Sequence, residues 1–198
     1  MATYASIKYD MTLSSNATGA GSLILLSTQT ASDSNTIDFT SRIDSKYDEY
    51  VFKFYDIHPE TDNTILKFNA SIDSGSNYNV TKTTTSFDAF HSEADDAAQM
   101  GYNTSHDLAQ STSVQTLLRD IGNGNDESAS GYLRLFNPSS TTFVKHFISE
   151  GSSYQHQSIA IHQFNAGYFN TTSAIDAIQF SMSEDAIEAG TIQMFGVL

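Results

Sequence analysis

Histidine is the residue type with the widest catalytic and metal-binding chemistry in this sequence, and its spacing argues against both uses. The six histidines are His58, His91, His106, His146, His156 and His162. No two of them form a His-x-His or His-Glu-x-x-His pair, and the chain has no cysteine to complete a zinc site. The sequence therefore predicts no metal and no cofactor, and it gives the histidines structural or surface roles.

Two further arrangements could carry catalysis. His106-Asp107 lies near several serines, but no Gly-x-Ser-x-Gly turn presents a nucleophile. Glu93, Asp95 and Asp96 cluster like the paired carboxylates that cleave glycans, yet the residues around them are typical of a solvated loop. We therefore expect no catalytic residue and no enzymatic activity, with a polysaccharide depolymerase as the weakest alternative.

Two acidic segments, 73–77 and 123–127, offer oxygen ligands for calcium. Neither has the Asp-x-Asp-x-Asp-Gly pattern with a distal glutamate. Ordinary β-turn chemistry is the favoured interpretation of both, and calcium binding is the alternative.

Tyrosines near turns are the candidate contact residues. An aromatic ring with a polar tip can stack on carbohydrate or on a partner protein. The favoured interpretation is that they are hydrogen-bonded rim tyrosines of a β-sandwich, and ligand contact is the alternative. The five candidates are Tyr78, Tyr102, Tyr132, Tyr154 and Tyr168.

The elements that position these residues are short strands. Residues 49–58 (EYVFKFYDIH) form a strongly β-prone run with apolar residues on both faces. This pattern indicates a central strand, or one shared with a neighbouring subunit. One face would carry Tyr50, Phe52 and Phe54, and the other Val51, Tyr55 and Ile57.

Residues 66–71 alternate between apolar and polar, which predicts Leu66, Phe68 and Ala70 inward and the residues between them outward. The turn at 73–77 then suggests that residues 78–87 return as the partner strand of a hairpin.

The middle of the chain is less regular. Residues 89–110 lack alternation and predict a loop with a helical turn, while residues 114–121 fit either a helix or a strand. Strands resume after residue 131 at spacings of about ten to sixteen residues.

These patterns predict an all-β fold: an antiparallel β-sandwich of jelly-roll type with a short helical or loop insertion near the middle. One domain would cover residues 21–198. Residues 1–20, which end in small and polar residues, would form an N-terminal arm for anchoring or linking. Its candidate anchoring residues are Tyr4, Ile7, Tyr9 and Met11.

Charge and hydropathy exclude two classes of partner. Nine Lys and Arg against 23 Asp and Glu give a net charge of −14, the wrong sign for binding to nucleic-acid phosphates. No apolar run approaches the ~20 residues of a membrane span, so we expect no membrane insertion.

Several segments resemble a group of virion proteins encoded by phages of marine bacteria, described as tail-fibre-like or structural proteins. The resemblance covers about residues 21–198. The segments that carry it include IDSKYDEYVFKFYDIHPETDN (43–63), LFNPSSTTFVKHFIS (135–149) and AGYFNTTSAIDAIQFSMSE (166–184). It implies a phage structural role and carries no catalytic residue.

The function expected from this resemblance is a non-enzymatic module on the exterior of the head, collar or tail. It would belong to a tail fibre or appendage or decorate the capsid, and the N-terminal arm would dock it to other virion proteins. Because phage appendages are usually symmetric, we expect a homotrimer. The alternative is a receptor-binding, lectin-like domain whose turn tyrosines contact host surface polysaccharide.

Overall fold

The computed structural model describes residues 22–198, which form two packed antiparallel β-sheets and no helix. The strands are β1 Leu23–Thr30, β2 Ile37–Phe39, β3 Glu49–Pro59, β4 Thr64–Ser71, β5 Lys82–Ser92, β6 Ala98–Tyr102, β7 Gln115–Ile121, β8 Ala129–Phe136, β9 Lys145–Gln155, β10 Ile159–Phe169, β11 Ala177–Met182 and β12 Ile187–Val197. The large sheet has the order β1-β12-β3-β8-β9-β10-β5-β6, and the small sheet has the order β2-β11-β4-β7. The predicted all-β sandwich is confirmed, and its jelly-roll type stays a prediction. The predicted arm, residues 1–20, lies outside the described residues.

An aromatic cluster joins the two sheets. The Phe180 ring of β11 lies with its centroid 5.5 Å from Phe52 and 5.3 Å from Phe54, both on β3. Phe39 at 6.1 Å and Phe68 at 6.4 Å complete its surroundings. Tilted and edge-on rings at these distances add to the free energy of burial.

The central strand β3 is as predicted, except for one residue. It lies between β12 and β8, with Tyr50, Phe52 and Phe54 buried in the core. Ile57 was expected on the opposite face, but it is fully buried too. The reason is a register shift between Phe54 and Ile57, where Asp56 takes a positive φ of 49° and the extra residue turns Ile57 inward.

The predicted hairpin of residues 66–71 and 78–87 is wrong. Strand β4 pairs with β11 and β7, whereas β5 lies in the other sheet between β10 and β6. The turn at 73–77 does form, because the Asp73 carboxylate accepts hydrogen bonds from the Asn77 backbone and side-chain amides. The chain then crosses to the large sheet, since a local turn fixes direction but not the partner strand.

Strand β4 also buries residues that were expected to face outward. Asn69 is 2% exposed because its side-chain amide donates to the carbonyls of Tyr78 and Thr112, which lie over the outer side of the small sheet.

In the middle of the chain, residues 103–114 form a loop, and residues 115–121 form the strand β7. The prediction for residues 89–110 is wrong over much of its length, because this segment contains the end of β5 and the strand β6, which pair as a hairpin. Strand β6 ends the large sheet and is exposed on both faces, so its residues need not alternate between apolar and polar. The loop of the predicted insertion is confined to residues 93–97 and 103–114, and the segment contains no helix. Within residues 22–198 no helix is long and apolar enough to cross a membrane.

The half of the core beneath β5, β9 and β10 is polar. Gln163 accepts a hydrogen bond from the Arg119 backbone amide, Ser153 donates to the Arg119 carbonyl, and Asn165 donates to the Leu117 carbonyl. These side chains form the hydrogen bonds that a neighbouring strand would otherwise make with the backbone amides and carbonyls on the free edge of β7. Because successive side chains of a strand point to opposite faces of the sheet, the residues between them on β9 and β10 point to the outer face of the large sheet.

Removing the central ring of the aromatic cluster should cost much of the stability. We expect Phe180→Ala to lower the free energy of unfolding by about 3–5 kcal/mol, since a cavity would open between four other rings. Urea denaturation measures the change. Phe143→Ala is the control, because Phe143 is 69% exposed and should change stability by no more than about 0.5 kcal/mol. Equal losses for the two variants would contradict the role of the cluster.

Candidate functional site

The outer face of the large sheet gathers most of the candidate tyrosines. Neighbouring residues of a strand point to opposite faces of the sheet, and the strand register puts four of the tyrosines on the outer face. They are Tyr132 on β8, Tyr154 on β9, Tyr168 on β10 and Tyr102 on β6. Tyr78 does not belong to this group. It lies after the 73–77 turn, with its hydroxyl buried near Gly75, and this burial raises the pKa of the hydroxyl. The structure thus places four of the five on the same face of the large sheet, and their role in binding stays a prediction.

Cross-strand pairing places Tyr132 beside a carboxylate. Tyr132 is opposite Glu150, and its hydroxyl donates to Glu150 Oε2 at 2.5 Å. His162 Nε2 lies 2.9 Å from the other oxygen, Oε1. The bond from Tyr132, aided by His162, holds the pKa of the Glu150 carboxyl below its ordinary value. The same bond raises the pKa of the Tyr132 hydroxyl.

A second tyrosine–carboxylate pair lies further along β9. The Tyr154 hydroxyl donates to Glu93 Oε1 at 3.2 Å. Glu93 follows β5 directly, and its backbone amide donates to the Ser158 carbonyl in the β9–β10 turn. The end of β5 and this turn therefore hold the Glu93 carboxylate over Tyr154.

Small residues lie between the two pairs. Ser130 is opposite Ser152, Ser152 is opposite His162, and Tyr154 is opposite Ala160. The result is a depression of about 390 Å³, lined by Glu93, Ser128, Ser130, Ser152, Ser153, Tyr154 and Ala160. We call this depression, together with the adjoining Tyr132–Glu150–His162 group, the hydroxyl trough. Its hydroxyls, carboxylates and tyrosine rings suit hydrogen bonding and stacking with a polar ligand.

An apolar groove of about 470 Å³ lies further along the same face. Phe136, His146, Ile148 and Tyr168 line it, with Ala166 among the small residues. At its rim the Gln110 side chain donates to the Thr83 hydroxyl at 2.8 Å and accepts from the Asn170 amide at 2.8 Å. Tyr168 therefore belongs to a different surface from Tyr132 and Tyr154. Tyr102 is at the β6 edge, where its hydroxyl donates to Asp107.

An acidic cleft lies near one end of the large sheet, with a volume of about 890 Å³. His58 crosses it, with Nδ1 2.7 Å from the Glu127 carbonyl and Nε2 3.2 Å from Glu188. The carboxylates that line it are Asp33, Asp56, Glu60, Asp126, Glu127 and Glu188. Across residues 22–198, no three or more histidine, aspartate or glutamate side chains are arranged to hold a metal ion.

In each of the two acidic segments considered for calcium, one carboxylate is hydrogen-bonded within its own turn. Asp73 binds Asn77 and the Ser71 hydroxyl, and these bonds hold the pKa of its carboxyl below the ordinary value. Glu127 accepts from the Gly124 backbone amide at 2.6 Å. Turn chemistry therefore accounts for the placement of both carboxylates.

Sequence reasoning missed Glu150, His162, Ser130 and Ser152, and it gave Glu93 to a solvated loop. These residues come from separate segments, and only strand register makes them neighbours. Alternation along β9 and β10 could have put them on one face, but no local signal pairs β8 with β9.

Comparison with known proteins returned no match. No family model fits the chain, no curated protein matches it, and no solved structure matches it. The function is therefore argued from the geometry and charge of the described residues.

Removing the Tyr132 hydroxyl should reduce the contribution of the Glu150 carboxyl to the pH dependence of stability. A carboxyl whose pKa is lowered on folding stabilises the fold above its unfolded pKa, and this contribution is lost as the pH falls through the lowered value. We expect Tyr132→Phe to raise the Glu150 pKa toward its ordinary value, as followed by NMR titration of the side-chain carboxyl carbon. The stability difference between the variant and the wild type should then shrink on acidification.

Tyr168→Phe is the matched control, because the hydroxyl of Tyr168 contacts the Gln110 amide and binds no carboxylate among the described residues. An unchanged Glu150 titration in Tyr132→Phe would refute the hydrogen bond as the main cause of the shift.

Proposed function

We propose that the chain is a non-enzymatic structural module on the exterior of a bacteriophage particle. It belongs to a tail fibre or other appendage, or it decorates the capsid, and residues 1–20 dock it to another virion protein. The observation that carries this proposal is an exposed apolar corner at the first of the described residues.

This attachment corner is formed by the first residues of β1 and the last residues of β12. The Leu198 amide donates to the Ser22 carbonyl at 3.2 Å, and Leu23 is opposite Val197. Leu23 is 41% exposed, Leu25 52% and Leu198 52%. Proteins usually protect an edge strand with charges or cover it, so exposed aliphatic side chains on β1 indicate a surface that a partner buries.

The charge distribution supports the same conclusion. The chain has a net charge of −14, yet β1 (LILLSTQT) and the segment 191–198 (TIQMFGVL) contain no charged side chain. Two acidic proteins can meet at such a surface without repulsion between close charges. The attachment corner is therefore suited to contact with other virion proteins or with other copies of this chain.

Self-association as a homotrimer is part of the proposal. The outer face of β3 adjoins the attachment corner through β12 and presents Lys53 and Tyr55, whereas Val51 is buried. Tyr55 is 41% exposed, and the half-buried Phe195 of β12 lies opposite Leu25 of β1. A symmetric contact between copies would bury Leu25, Phe195 and Tyr55.

The proposal assigns no catalytic residue. The two carboxylates beside the hydroxyl trough, Glu93 and Glu150, each accept a hydrogen bond from a tyrosine. This arrangement suits recognition of a ligand rather than proton transfer to it.

The location on the particle can be measured by immunogold labelling of intact virions of the phage that encodes the chain, with an antibody against residues 21–198. We expect gold on the exterior, either over the head or confined to the tail and its fibres. A truncation lacking residues 1–20 should fold but fail to be incorporated, because it has lost its docking segment. Leu25→Asp should reduce incorporation, because it charges the attachment corner.

Ala98→Asp is the matched control for Leu25→Asp, since it adds the same charge to β6 at the opposite edge of the sheet. Virions without label, or normal incorporation of the truncation, would overturn the proposal.

The trimer predicts a solution mass of about three times the 21.6 kDa of one chain. Size-exclusion chromatography with multi-angle light scattering measures it at micromolar concentration. The Tyr55→Asp variant should shift the mass toward the monomer, because it places a charge at an exposed position of this surface. A wild-type monomer would contradict the trimer without bearing on attachment through residues 1–20.

A further inference from the structure

We infer that the hydroxyl trough is a binding site for an uncharged saccharide. The trough is formed by β8, β9 and β10 and the start of the loop after β5, whereas the attachment corner lies at the β1 edge of the same sheet. Saccharide binding there goes beyond the proposed structural role and does not depend on it.

The trough has an aromatic residue at each end. Tyr132 lies opposite Glu150, and Tyr154 is four residues further along β9, a separation of about 13 Å. The row between them holds Ser130, Ser152 and His162, and Ala160 lies opposite Tyr154. The side chains of the two serines and of Ala160 are short and exposed. A sugar ring can therefore reach the sheet between the two tyrosines, where the C–H face of the sugar can stack on a tyrosine ring.

The polar groups around this floor are those that sugar hydroxyls bind. Glu93 and Glu150 accept hydrogen bonds, the serines both donate and accept, and His162 adds a ring nitrogen. Hydrogen bonds within the protein orient both carboxylates: Tyr154 fixes Glu93, and Tyr132 fixes Glu150. Pre-oriented acceptors reduce the entropy that binding would otherwise cost.

Charge selects the class of saccharide. Two carboxylates border the trough, and the whole chain carries −14, so an acidic polysaccharide would be repelled. A neutral hexose or N-acetylhexosamine meets no such repulsion and can donate its hydroxyl protons to the carboxylates. An uncharged sugar residue is therefore the occupant that both the shape and the charge of the trough favour.

The site can be tested with the ¹⁵N-labelled full chain. Glucose, galactose, mannose and N-acetylglucosamine are titrated one at a time, and glucuronate is the anionic comparison. We expect at least one neutral sugar to shift the amide signals of Ser130, Ser152, Tyr154 and Ala160 with a Kd of about 1 mM or tighter. Glucuronate should leave these signals unchanged.

Ala160→Arg should lower the affinity about tenfold or more, because its side chain fills the trough. Ala166→Arg is the matched control: it lies on the same strand and the same face, beside the apolar groove, and should bind like the wild type. Tyr154→Ala should weaken binding more than Tyr154→Phe, which keeps the ring but loses the hydroxyl that orients Glu93.

The inference is overturned if no neutral sugar shifts the trough amides, or if Ala160→Arg and Ala166→Arg reduce binding equally. It is also overturned if cross-linking of assembled particles places another protein in the trough while the free chain binds no sugar. Immunogold labelling is independent of these results, so loss of the saccharide site and loss of the virion role are separate outcomes.

Discussion

The rest of the structure depends on how the free edge of β7 is satisfied. β7 ends the small sheet, and its outer backbone groups face the large sheet instead of water. Gln163, Asn165 and Ser153 supply the missing hydrogen bonds to Leu117 and Arg119. An unpaired buried amide or carbonyl would cost about 1–3 kcal/mol, so these polar side chains are required inside the sandwich. They hold β7 against β9 and β10 without a β-ladder between the two sheets.

This constraint explains why the outer face is rich in aromatic and ionisable groups. In a strand, alternate residues point to opposite faces, and a one-residue shift of register would exchange them. With Gln163 and Asn165 inside, His162, Phe164 and Tyr168 must lie outside. Phe164 then stacks on Phe87 of β5 at 4.9 Å, and His162 lies 4.1 Å from Phe164. The polar half of the core and the hydroxyl trough are thus two sides of the same strands.

Two buried lysines border the polar core. Lys82 and Lys145 are each opposite Phe169 on the neighbouring strand, and both are fully buried. Lys82 donates to the Ser113 carbonyl at 2.5 Å, and burial lowers its pKa to about 8. Lys145 donates to the Thr171 carbonyl, and burial lowers its pKa as well. The Lys82 hydrogen bond holds the loop at residues 111–113 close to the start of β5. The Lys145 hydrogen bond holds the loop near residue 171 close to the start of β9.

The sequence alone determined the fold class, the central strand β3, the turn at 73–77 and the five tyrosines as candidates, because alternation and turn chemistry are local properties. The partner of β4, the strand at 115–121, the inward turn of Ile57 and the composition of the hydroxyl trough were decided only by the tertiary structure. The physical reason is that strand pairing is non-local: Tyr132, Glu150 and His162 become neighbours through register across three strands. Likewise, the polar side chains of Asn69 and Gln163 would be expected at the surface from the sequence. In the structure they are buried, because they form hydrogen bonds with backbone groups of segments distant in the sequence.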